Sequence, residues 1–192
     1  MGTWMRLRYL DFAVAGFAFV AILLHDAAHL SAGRWYDMFW VCNVSAVLVA
    51  PGVLLRSPAL CAVAFTWLMP GTAVWLLDSF VAGANILPTS WGVHVGGTLA
   101  ALYGVWRSGF APRGWLAALG TLGATLGVSR LLLPPRFNVN VVHAVPPGWH
   151  FLGGNYAGFV AAALVLVALV CGLGQLLCWF VTGRPRRRSG SS

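Results

Sequence analysis

The sequence predicts an all-α, polytopic integral membrane bundle of about six transmembrane helices. Three observations predict it. The 192-residue chain is 59% hydrophobic, with only 8% charged residues against about 25% in soluble domains, and a mean hydropathy of +0.81. Its apolar residues gather into six runs, approximately 9–30, 37–55, 58–82, 90–107, 114–133 and 155–182, each of a length suited to a ~30 Å hydrocarbon core at ~1.5 Å per residue. Its basic residues, all arginine, alternate in density from one break to the next.

The first run follows Met1–Arg8 in the basic-then-apolar order of a signal peptide, with Ala27-Ala28 or Ser31-Ala32-Gly33 as the small residues a cut would need. Asp11 inside the region and an apolar stretch reaching Leu24 favour an uncleaved first helix. The breaks carry turn chemistry: Ser31–Arg34, Arg56-Ser57-Pro58, Pro88-Thr89-Ser90, Arg107–Gly109 with Pro112-Arg113, and Pro134-Pro135. Pro70-Gly71, midway through the third run, predicts a kinked helix rather than an end. With a cytoplasmic N-terminus, the inner segments hold Arg6, Arg8, Arg56, Arg107, Arg113 and the tail Arg184, Arg186, Arg187 and Arg188; the outer ones hold Arg34, Arg130 and Arg136. This positive-inside bias places both termini in the cytoplasm, which an even span count requires. The expected organisation is a transmembrane domain over 1–183 and a basic cytoplasmic tail over 184–192.

The net charge of +8 does not indicate nucleic acid, because the arginines are scattered between apolar runs and no basic stripe is interleaved with aromatics. The tail reads as a stop-transfer cluster facing anionic lipid. Trp35, Trp40, Trp91, Trp106, Trp115, Trp149 and Trp179 near run ends fit interfacial belts. Glycines four apart (Gly92 and Gly96, Gly123 and Gly127, Gly154 and Gly158) predict close helix packing, within the bundle or between copies or partners. A transporter is disfavoured, since no acidic residue is expected mid-bilayer and no inverted repeat is present.

The threading brings His25, His29, Cys42, Asp78, His94, His143 and His150 to the outer side. Polar groups collected at one membrane level point to a site. The long connection Pro134–Gly154 adds Asn138 and Asn140 there and reads as a lid or site wall, or as a hydrated interfacial loop. Cys42 lies early in the second helix, and Cys61, Cys171 and Cys178 belong to the inner halves, so no disulfide partner is expected for it. A thiol beside a histidine base is the requirement for a sulfur nucleophile, with His94 at similar depth and Asn43, Asn138 or Asn140 as orienting or oxyanion groups. Cys42 as a small buried hydrophobe and His94 as a helix–helix donor is the alternative. His25 and His29, at i and i+4, share a helix face. They suit a divalent metal such as zinc with His94 or a loop histidine, a lipid phosphate or headgroup, or simple interfacial placement.

The segment Cys42-Asn43-Val44-Ser45, the stretch Trp67–Gly71, His94 early in a helix and the Asn- and Pro-rich loop (Asn138, Asn140, Pro146 to Trp149) resemble the YwaF-like integral membrane family, whose animal relatives are the transmembrane protein 164 group. The order spans residue 37 to about 180. The resemblance implies acyl chemistry on membrane lipid: Cys42 would hold the acyl group as a thioester, and His94 would act as base and then acid. Asn43, Asp78, Asn138, Asn140, His143 and His150 are the expected substrate-side groups. The chain departs from the family in lacking one helix and in its His25–His29 segment. A histidine-metal enzyme or metal-binding protein and a non-catalytic membrane subunit are the readings from other classes.

Overall fold

A computed structural model describes residues 3–81, 87–145, 149 and 153–183, and among these every regular element is helical. The long first helix α1 (Thr3–Ser31) leads through a 3₁₀ turn at Trp35–Phe39 to the short helices α2 (Val41–Val47) and α3 (Val49–Leu54). Next come α4 (Pro58–Val81) and a helical stretch from Thr89 to Ser108, made of α5 (Thr89–Trp91), a π-helical turn (Gly92–Gly96) and α6 (Gly97–Ser108). Helix α7 (Gly114–Leu132), two 3₁₀ turns at Pro135–Phe137 and Val139–Val141, and α8 (Tyr156–Thr182) complete the order. The basic tail lies outside the described residues, as do Pro146, Pro147, Gly148 and His150.

Four helical segments are long and apolar enough to cross a membrane: Arg6–Ser31, Pro58–Leu77, Gly114–Leu132 and Tyr156–Thr182. The chain is thus a multi-pass membrane protein by length and composition. The second expected run is shorter than these, an apolar helix over Val41–Leu54. It breaks at Leu48 because Pro51 has no N–H to return to the preceding turn. Pro70 does not end α4, which continues to Val81.

Helix α4 is the hub, touching α2, α3, α6, α7 and α8. Its Cys61, Ala64, Phe65 and Leu68 pack with Val53 and Val105 in the larger core, and Trp67 packs with Ala118 and Cys171 in the smaller. Small residues set the spacing, as expected where lipid tails remove the hydrophobic drive between helices. Gly92 and Gly96 do pack, against Ala21 and Phe17 of α1. Gly123 and Gly127 face open space, and Gly154 stands ahead of α8 at φ +66°. Close approaches also occur at glycines outside the four-residue spacings: Gly104 meets Cys61, Gly114 meets Ala62 and Gly174 meets Thr66. Phe12, Leu24, Leu131, Leu164, Leu169 and Phe180 form an exposed apolar coat, and Trp35, Trp91, Trp106, Trp115, Trp149 and Trp179 are exposed as well. Such a coat suits lipid and not water.

Gly71 is the tightest point for the site. A β-carbon there would stand 2.9 Å from Cβ of Cys42. Gly71→Val is therefore expected to push α2 off α4 and to cost about 1–3 kcal/mol, read as a lowered unfolding temperature in detergent.

Polar groups pin both ends of the bundle. At one end Asp11 of α1 is buried and takes Arg56 (NH2 2.8 Å, Nε 3.2 Å), Arg107 (Nε 3.1 Å) and Tyr103 (Oη 2.7 Å), tying α1 to the end of α3 and to α6. The other end carries the histidines.

Candidate active site

His25 and His29 stand one turn apart near the end of α1, and both are buried. Their Nε2 atoms are 3.0 Å apart, with the rings edge to face at 4.4 Å between centroids. On the far side of His25, Nδ1 lies 3.1 Å from the Thr89 hydroxyl at the start of α5. On the far side of His29, Nδ1 lies 3.4 Å from Asp37 Oδ2, a close approach without a hydrogen bond. Asp37, in the 3₁₀ turn, is buried and held by Arg34 (NH2 2.6 Å, Nε 2.7 Å) and by Trp40 Nε1 at 3.2 Å. Its backbone carbonyl takes the Asn43 amide at 2.8 Å.

The tautomers that satisfy this row run in one direction. If His29 donates Nδ1–H toward the carboxylate, its Nε2 is bare and accepts from His25 Nε2–H. His25 Nδ1 is then bare and accepts from the Thr89 hydroxyl. This assignment follows from the network, because hydrogen positions are inferred.

His94 occupies the π-helical turn, a local widening that often marks functional positions. Its ring stacks on Trp75 at 4.8 Å and 10°, and lies 6.4 Å from the His25 ring. Thr72 donates to its carbonyl at 2.8 Å and shares a 2.8 Å hydrogen bond with Thr98. Among the described residues, His94 Nδ1 is buried without a hydrogen-bond partner. Asp26 Oδ1 and Ser45 Oγ are in the same state. Buried orphans of this kind call for a water, an ion or a ligand.

Cys42 is partly exposed and free of any disulfide. Its sulfur has Asn43 Oδ1 as partner at 4.0 Å, and no hydrogen bond joins it to His94 among the described residues. The expected nucleophile and base thus stand in the same region without touching.

The loop residues serve as braces. Asn140 Oδ1 accepts from Val41 N at 2.9 Å, capping the start of α2. Both of its amide hydrogens are used, on Phe39 O at 2.7 Å and Ser129 Oγ at 3.0 Å. No donor is left for an oxyanion. Asn138 closes the loop on itself by accepting from His143 N and Ala144 N, both at 3.0 Å. His143 Nδ1 pairs with Arg130 at 2.7 Å, away from the histidine row. Asn138, Asn140 and Val141 have positive φ values of 44°, 54° and 59°, the last a strained conformation for a β-branched residue. Asp78 lies near the end of α4, and its side chain is outside the described residues, as is His150.

For metal, His25 and His29 come together but their nitrogens face each other. Among the described residues no set of three His, Cys, Asp or Glu side chains is arranged to hold an ion. Sequence reasoning missed Asp37, Thr89, Thr72 and Trp75. Only Asp37 left a signal: a chain with four acids rarely spends one beside an arginine three positions away without pairing them.

Comparison with protein-family models, with curated proteins and with solved structures gives no match, so the chemistry rests on the chain's own side chains.

Proposed function

We propose that the chain is a membrane enzyme that transfers or hydrolyses an acyl group of a membrane lipid. In this reading six spans leave both termini on the arginine-rich cytoplasmic side, and the site opens near the outer surface. The observation that carries the reading is the buried group of three imidazoles. His25, His29 and His94 lie within ring contact of one another in series, Asp37 stands at one end, and His94 Nδ1 is without a partner. Buried imidazoles oriented by a carboxylate are what general-base activation of a nucleophile needs. Lipid reaches such a site sideways, without leaving the bilayer.

Cys42 is the thiol of this region, and the resemblance of its segment to the YwaF-like family supports it as nucleophile. Its proton passes to His94 Nδ1, and the sulfur bonds to the ester carbonyl carbon. The carbon–oxygen bond breaks, and the departing lipid hydroxyl takes the proton back. A second lipid hydroxyl, or water, then releases the thioester by the same path in reverse. Intact mass of the membrane-purified protein, before and after neutral hydroxylamine, tests this. A fatty-acyl adduct that hydroxylamine removes and Cys42→Ala lacks is the expected result. Full lipid turnover by Cys42→Ala would sink the thiol step.

A second reading is a bound divalent metal: the two Nε2 atoms stand 3.0 Å apart as a hydrogen-bonded pair, and a turn of each ring would open them to the ~3.3 Å between two nitrogens ~2.0–2.1 Å from one tetrahedral zinc. It predicts stoichiometric zinc or a similar metal in the purified protein, lost on His29→Ala. A metal-free preparation that remains active excludes it.

A further inference from the structure

We infer that the Thr89 hydroxyl is itself a nucleophile of this site, and that its substrate is a lipid ester whose acyl chain lies in a lateral groove between α1 and the α5–π segment. The inference rests on the lipid-ester reading above, but not on Cys42.

Two independent observations meet at Thr89. The first is the directed row of contacts behind it: hydroxyl to His25 Nδ1 at 3.1 Å, Nε2 to Nε2 at 3.0 Å, and His29 Nδ1 to Asp37 at 3.4 Å. A hydroxyl is a weak nucleophile until an adjacent base takes its proton, and the base works best when a third group fixes its tautomer. Here a second imidazole is hydrogen-bonded to the base, and the Asp37 carboxylate 3.4 Å beyond it favours the tautomer with hydrogen on His29 Nδ1. When His25 Nδ1 accepts the Thr89 proton, Nε2 can hand its own to His29, and the positive charge comes to rest beside Asp37. Arg34, Trp40 and the 3₁₀ turn already hold that carboxylate in place.

The second observation is the groove in front of it. Gly16, Val20, Ala21 and Leu24 of α1, with Pro88 and Gly92, line a shallow, open groove of about 450 Å³. Among the described residues, Thr89 supplies the one polar side chain of its walls. Helix α1 is one of the four segments long and apolar enough to cross a membrane, and in the lipid-ester reading the groove's open side meets lipid. An apolar groove at that depth stays dry, and an acyl chain is the occupant the bilayer supplies. The glycine and alanine positions leave room for it: nothing stands within 4 Å of a β-carbon placed on Gly16. A hydroxyl that served only to satisfy His25 would have no need of an open groove on its other side.

The step balances without a co-reactant beyond the lipid and an acceptor. Thr89 Oγ bonds to the acyl carbon, its proton goes to His25 Nδ1, and the ester carbon–oxygen bond breaks. The departing alkoxide takes that proton. Water or a second lipid hydroxyl then cleaves the threonyl ester, restoring Thr89.

The test uses the full chain in lipid nanodiscs, a long-chain alkyl fluorophosphonate and its ethyl counterpart, and peptide mass spectrometry to locate the adduct. The long-chain probe is expected on Thr89. Thr89→Val abolishes the adduct, Thr89→Ser keeps it, and His25→Gln slows labelling about tenfold or more while leaving a hydrogen-bonding side chain in place. Gly16→Leu, which fills open groove space, slows the long probe and spares the ethyl one. The inference is overturned by an adduct elsewhere or none at all, by unchanged labelling in His25→Gln, or by equal effects of Gly16→Leu on both probes. A hydroxylamine-sensitive acyl group on Cys42 with no adduct on Thr89 overturns it and leaves the thiol reading standing. An adduct on Thr89 in a protein whose Cys42 never carries an acyl group does the reverse.

Discussion

Asp11→Ala is expected to destabilise the bundle by about 3–5 kcal/mol, the range for breaking a buried ion pair by removing one partner. The carboxylate is the shared anion for two guanidinium groups and a phenol from two parts of the chain, the end of α3 and α6. Without it Arg56 and Arg107 are left facing each other with no counter-charge at the end of an apolar bundle. The partners differ in weight. The Arg107 side chain is 12% exposed and that of Arg56 is 36% exposed, so water screens the second far more than the first. Arg107→Ala should accordingly cost more than Arg56→Ala. Asp11→Asn keeps the shape and loses the charge, and should fall between wild type and Asp11→Ala. Thermal unfolding in detergent, followed by tryptophan fluorescence, ranks the four variants. A loss below about 1 kcal/mol for Asp11→Ala would mean that the cluster behaves as a solvated surface pair.

His29→Ala is expected to lower kcat for lipid-ester turnover by about 10²–10⁴-fold with little change in KM. Among the described residues His29 lines no part of the groove, and its side-chain partners are His25 and Asp37, so its removal leaves substrate binding in place. What is lost is the group that keeps the reactive nitrogen of His25 bare and receives its surplus charge. A fall in KM affinity with unchanged kcat would assign the histidine to substrate binding instead. An unfolding temperature within a few degrees of wild type must accompany the kinetic result, because the Arg34–Asp37 pair still anchors the 3₁₀ turn.

The helical, multi-pass character was legible because bilayer energetics write it into composition: long apolar runs, arginine-marked breaks, tryptophan near the ends. Helix Val41–Leu54 came out shorter than its run, because hydropathy counts residues and does not register that Pro51 withholds an N–H. The clustering of the candidate residues at one end of the bundle was legible, though not what they do. His25, His29, Cys42 and His94 do gather with Asn43 and the Asn140 loop. Their pairing was not legible, since helix rotation about an axis of near-uniform hydrophobicity leaves little periodic trace. The same is true of the glycines: Gly71 and Gly104 carry no spaced partner in sequence, yet mark close approaches to Cys42 and Cys61. Thr89 was hidden among turn-forming residues, and only a neighbour from a distant segment gives its hydroxyl a role. Asp11 and Asp37 show what an acid means in a chain with four of them and no glutamate: each is a fixed counter-ion.

The π-helical turn at Gly92–Gly96 gives the stretch from Thr89 to Ser108 a phase offset. A residue in excess of the α repeat turns everything beyond it by about 100°. Thr89 therefore meets His25 while Arg107, on the same stretch, meets Asp11, and both targets lie on α1. Helix α1 carries two teeth of a key, and the wider turn cuts the matching notches at the right angle. Deleting one residue there would let either tooth engage, but not both at once.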